Sequence, residues 1–127
     1  MTRNVRRVRR LLVGDAAYRW TVGHQRRVRS APWPPGECHV LTLRREGAHG
    51  RLQIGFQKRP GHLVPDGYLP SGAVGRAGGA CLNLHQPGTV RALLDEALAH
   101  GWRPDRPEPV HLDGWLLFDA VAARRPG

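Results

Sequence analysis
Apolar and polar positions alternate along the first half of the chain, and this two-residue rhythm predicts a set of half-buried strands. Residues 11–13 (Leu11, Leu12, Val13) read as a short strand closed by Gly14-Asp15. In the next segment Tyr18, Trp20 and Val22 share one face and Arg19 and Thr21 the other, and the segment extends through His24 toward Val28. Pro32-Trp33-Pro34-Pro35-Gly36 interrupts it, because proline removes ladder donors and favours extended loop geometry. Beyond the interruption, His39, Leu41 and Leu43 alternate with Val40, Thr42 and Arg44. After a turn over 45–50, Leu52, Ile54 and Phe56 alternate with Arg51, Gln53, Gly55 and Gln57. The pair predicts a hairpin with one apolar face and one polar, basic face, as an antiparallel sheet with a wet side requires.

The second half reads differently. A Gly/Pro-rich stretch over 60–79 carries Leu63, Val64, Tyr68, Leu69 and Val74, which argues for a long loop packed on something. Residues 80–84 read as a short strand. Val90, Leu93, Leu94, Ala97 and Leu98 then recur at helical spacing and form one apolar stripe, predicting a helix over 87–100. Pro87 or Thr89 suits its start and Gly101 its left-handed stop. Trp102 can fold back on the last turn, and Pro104 bars continuation. Residues 110–112 read as a strand. Asp113 then caps a final helix over 114–124, with a strand over 115–118 as the alternative.

Strands followed by a helix predict an α+β fold: an antiparallel sheet of about five strands, the 87–100 helix on its apolar face, and a short C-terminal strand and helix. Residues 1–10 form a basic arm, either frayed or the exposed start of a strand, and 11–127 form one domain. A chain of 127 residues can bury roughly two thirds of its unfolded surface without staples. Two cysteines, Cys38 and Cys81, are too few for a disulfide scaffold. The apolar run at 11–13 is too short for a signal-peptide core or a bilayer span, so no membrane insertion is expected. Nineteen arginines against the single Lys58 match a high-GC bacterial coding bias, and a cytoplasmic location is expected.

Coding bias does not explain where the charge lies. Residues 1–64 hold fourteen Arg or Lys against Asp15, Glu37 and Glu46, whereas residues 65–127 hold six Arg against seven acids. Charge runs are common on inert solvated surfaces. Concentrated as it is here, a positive field also attracts polyanions such as nucleic acid, anionic lipid or an acidic protein.

The candidate chemistry is sparse. Cys38, His39, Cys81 and His85 suggest zinc, but adjacent Cys-His is a poor chelating pair, and Cys81 to His85 reads as a strand. No signature surrounds either cysteine as a nucleophile. The Gly-rich run over 72–79 lacks the Gly-Lys-Ser/Thr end and the helix of a phosphate loop. Carboxylates are scattered. His62, Asp66, Tyr68 and Ser71 form the best polar cluster, although Asp66-Gly67 is already accounted for as a turn. No metal, cofactor or catalytic set is therefore expected.

Tyr18-Arg19-Trp20, together with Pro87-Gly88-Thr89-Val90-Arg91, Ala97-Leu98 and Gly101-Trp102-Arg103-Pro104, resembles small proteins of high-GC bacteria. These carry a similar Y-x-W strand and a P-x-x-V-R…A-L-x-x-G-W-x-P helix. The resemblance covers two short stretches and implies a fold, with no activity attached.

The leading expectation is a non-catalytic binding module whose basic half contacts an anionic partner. Nucleic acid comes first, held through Arg3, Arg6, Arg7, Arg9, Arg10, Arg19, Arg44 and Arg51. A protein–protein module of adaptor or immunity type, meeting an acidic partner through Trp33, Tyr68 and Leu69, is the second. A small enzyme with its site in the 60–80 loop, around His62, Asp66, Tyr68 or Cys81, is the third.

Overall fold
The computed structural model describes residues 8–25, 38–64 and 72–124. Its frame is a five-stranded sheet whose strands lie in the order β1 (Arg9–Val13), β2 (Ala16–Gln25), β3 (Cys38–Arg45), β4 (Leu52–Gln57) and β8 (Val110–Asp113). The first hairpin joins β1 (Arg9–Val13) to β2 (Ala16–Gln25) across Gly14-Asp15. Gly14 has φ +59°, a left-handed conformation that glycine adopts without strain. The second hairpin joins β3 (Cys38–Arg45) to β4 (Leu52–Gln57), and β3 also pairs antiparallel with β2. Strand β1 begins at Arg9, inside the segment expected as a basic arm.

The rest of the chain builds the second layer. Strands β5 (His62–Leu63), β6 (Ala73–Arg76) and β7 (Cys81–Asn83) form a small antiparallel sheet within and just beyond the stretch expected as a loop. The Gly-rich run over 72–79 is therefore strand β6 and the turn of a hairpin, with Gly78 at φ +71°. Helix α1 (Pro87–Ala99) ends as its sequence predicts. Gly101 takes φ +101°, Gly101 N–H donates to Leu98 O, and Trp102 N–H returns to Ala97 O. Trp102 folds back into the core and meets the Tyr18 ring.

Strand β8 (Val110–Asp113) runs straight into helix α2 (Gly114–Arg124), and the Asp113 carboxylate accepts from Trp115 N–H at 3.0 Å. Here the sheet departs from the expected pattern. β8 lies parallel to β4, so the sheet is mixed at this edge. The reason is connectivity: β5, β6, β7 and α1 intervene between β4 and β8, and that crossover returns the chain in the same direction.

Alternation sorts the strands as expected. Tyr18, Trp20, Leu41, Leu43, Leu52, Ile54 and Phe56 point into one core with Val74, Leu82, Leu84, Val90, Leu93, Leu94, Trp102, Trp115, Phe118 and Val121. Gly114 is required where α2 crosses β4, because a Cβ there would lie 2.5 Å from the Phe56 ring. Arg124 bonds Glu96 at 2.8 Å and so ties α2 to α1. No helix of the described residues is long and apolar enough to cross a membrane.

Candidate nucleic-acid interface
The register of the sheet decides which arginines meet. In an antiparallel pair, directly opposed residues share a face. Arg10 opposes Arg19, and Arg19 opposes Arg44. Leu43 opposes Leu52, so the same register carried one residue further sets Arg51 opposite Arg44. Four arginines from four parts of the sequence thus form one row across the face turned away from the helices. The next polar row holds Thr21, Thr42, Gln53 and His111, again in register.

The turn after β3 adds an acid to the row. Arg10 donates from Nε to Glu46 Oε2 and from Nη2 to Oε1, both at 3.0 Å, and Arg19 Nε donates to Oε2 at 3.1 Å. These hydrogen bonds hold the Glu46 carboxyl below the usual carboxylate range. Arg44 and Arg51 form no ion pair with a described carboxylate. An open depression of about 380 Å³ lies beside the row, lined by Arg19, Arg44, Arg45, Glu46, Gly47 and Ala48. At the other side of the row, burial and the charge of Arg51 lower the pKa of His111.

Not every expected residue belongs here. Arg9 lies on the opposite face, one position out of phase with Arg10. Its guanidinium stacks 4.9 Å from the Trp20 ring, and Nη1 donates to His85 O at 2.7 Å. A run of basic residues looks uniform in sequence, but the strand period splits it between two faces. The polar face is also covered at one end, where Val40 and Cys38 are buried. Val40 sits between Gly23 and Gly55 in the cross-strand register, so its apolar side chain has no polar neighbour across the row. Arg3, Arg6, Arg7, Trp33, Tyr68 and Leu69 lie outside the described residues.

The other constellations stay apart. Cys38 ends the large sheet, buried, with its thiol pushed up to about 12 chiefly by that burial, whereas Cys81 is exposed in the small sheet. Cys38 and its neighbour His39 project to opposite faces of β3. Among the described residues no group of three or more His, Cys, Asp or Glu side chains is placed to hold a metal ion. His62 packs its ring 4.5 Å from Trp115, with Nδ1 at 3.0 Å from Pro60 O, and its expected partners Asp66, Tyr68 and Ser71 lie outside the described residues. In the back half of the chain Arg76 meets Asp119, and Arg91 meets Asp95, whereas Arg59 reaches across to Asp113.

Glu46 is the residue that sequence reading missed. It counted only as one acid among many bases. The signal was present in the Gly14-Asp15 turn, since a two-residue turn there fixes Arg10 opposite Arg19. What sequence alone did not supply was the reach of the 45–50 turn back over that pair.

Fold and site together define an α+β protein with a dry helical layer on one side of its sheet and an arginine row on the other. Compared with known protein families, curated proteins and solved structures, the chain shows no match to any of them.

Proposed function
We propose that this protein is a non-catalytic module that binds nucleic acid by its phosphate backbone, through the arginine row on the polar face of the sheet. The observation that carries this reading is the cross-strand register, which brings Arg10, Arg19, Arg44 and Arg51 together from distant positions. Guanidinium groups present planar forks of donors that suit phosphate oxygens. Thr21, Thr42 and Gln53 offer further hydrogen bonds in the adjoining row. Neighbouring strands lie about 4.8 Å apart, so the row extends about 14 Å. That length matches the axial rise of about four nucleotides in one strand of a duplex.

The same face argues against reading bases. Tyr18, Trp20, Phe56, Trp102, Trp115 and Phe118 are all buried in the core, so none of them is available as a platform for unstacked bases. The reading is therefore of backbone contact with little sequence preference, and the ligand is a duplex. It includes the cytoplasm of a bacterium, supported by the arginine-rich usage of the chain.

Fluorescence anisotropy of a labelled DNA duplex, titrated at several salt concentrations, tests the proposal. Affinity should fall steeply with salt as phosphates release counterions. Arg44→Gln and Arg51→Gln should each weaken binding on every sequence and flatten the log–log salt slope by about 1. Absence of binding at low salt removes the reading.

A further inference from the structure
Cross-strand pairing forces Arg10 and Arg19 together, which is unfavourable for two like charges unless an anion lies between them. In this structure the anion is internal. Three N–H donors converge on the Glu46 carboxylate: the two-pronged fork of Arg10 and the Nε of Arg19. A carboxylate and a phosphodiester present the same feature to such a fork, two anionic oxygens on one atom. We infer that Arg10 and Arg19 form a seat for one backbone phosphate, and that Glu46 fills this seat in the ligand-free protein. The inference rests on the nucleic-acid reading above and adds to it a defined position and an internal competitor.

Three further observations support exchange at the seat. Both arginine side chains are more than half exposed, at 61% and 67%, so a ligand can reach them. The depression lined by Arg19, Arg44, Glu46 and Gly47 adjoins the seat and leaves room for the displaced carboxylate. The backbone of Glu46 is held by its own N–H bond to Ala17 O at 2.8 Å, and Gly47 follows at φ +83°. The side chain can therefore swing out while the turn stays in place. Entry of a phosphate oxygen pair and exit of the carboxylate keep the two guanidinium groups satisfied throughout.

The experiment is duplex titration by anisotropy with Glu46→Gln, Arg10→Gln and the double variant, across a range of salt. Removing the competitor should tighten binding about 1.5-fold to fivefold, the size expected when an exposed ion pair no longer has to be broken. The salt slope should stay nearly unchanged, because the same phosphate is neutralised whether or not the carboxylate first has to leave. In the double variant the gain should vanish, since without Arg10 the seat is lost. That non-additivity separates a local seat from a general change in net charge, which would act independently of Arg10. Glu46→Ala, which also removes the carboxylate, should reproduce the gain, and thermal melting confirms that each variant is folded. If Glu46→Gln and Glu46→Ala bind no tighter than the natural chain while Arg44→Gln still weakens binding, the seat is wrong and the module reading stands. If the gain persists unchanged without Arg10, the seat is likewise wrong. If neither the natural chain nor any variant binds duplex at low salt, both readings fall.

Discussion
The two faces of the five-stranded sheet are built from the same strands, yet they do different work. On one face Leu41, Leu43, Leu52, Ile54 and Phe56 are fully buried under the helices. One residue away along the same backbone, Arg19 and Arg44 stand in solvent. Burial on the first face supplies the apolar transfer energy that holds the chain folded. Charge on the second contributes little to folding and is available for a ligand. Stability and recognition therefore occupy alternate positions of one sequence and should be separable by mutation.

The sharpest way to break that comparison is to substitute neighbours. Trp20→Ala removes a large, fully buried side chain and should destabilise the fold by about 3–5 kcal/mol, read from urea unfolding. That is a large share of the roughly 5–15 kcal/mol typical of a domain. Arg19→Gln, the adjacent residue on the other face, should shift stability by no more than about 0.5 kcal/mol while lowering duplex affinity. An effect smaller than that of Trp20→Ala is expected at the helix crossing. Gly114→Ala places a methyl group against the Phe56 ring and should destabilise by about 1–3 kcal/mol, with no change in binding.

The covered end of the polar face sharpens the comparison. Cys38 lies on that face but is buried, and its thiol is held up to about 12. Since the unfolded chain gives up this proton near 9.0, the folded form holds it more tightly. Its contribution to stability is complete below about pH 9 and is lost as pH rises from there through the folded value. Cys38→Ala should flatten that alkaline loss in urea unfolding curves. At neutral pH, alkylation of the native protein should modify exposed Cys81 well before Cys38.

The smallest effect belongs to His111, at the opposite end of the polar rows. Its pKa is lowered by burial and by Arg51, so its neutral form is favoured in the fold. Stability from this group is present above its ordinary value of 6.5 and declines as pH falls through the lower folded value. Arg51→Gln should raise the His111 pKa in an NMR titration, though not fully to 6.5, because burial is the larger cause.

Much of this layout was legible in sequence, and the parts that were not have definite physical reasons. The strands carrying Tyr18-Trp20-Val22, Leu41-Leu43 and Leu52-Ile54-Phe56 announced themselves because one buried face imposes a strict period of two. The end of α1 was equally legible, since Gly101 and Trp102 perform local tasks that neighbouring residues define. The direction of β8 was not, because a four-residue strand shows the same alternation whether it runs parallel or antiparallel. Strand β5, only two residues long, is too brief to show any period. At the candidate site, Arg19, Arg44 and Arg51 were placed on the wet face by alternation alone. Arg9 was grouped with the other arginines because the basic run was read as one unit, and Glu46 gained its importance only through a turn that brings distant positions together.

The parallel pairing of β8 has a consequence for the integrity of the chain. Until that strand arrives, the outer side of β4 presents a row of unpaired amide and carbonyl groups, a template that another molecule's strand can copy. A truncated chain ending before Val110 would therefore be prone to self-association as well as incomplete. The short final strand, anchored at once by α2, closes that template and leaves only four residues of new edge behind it.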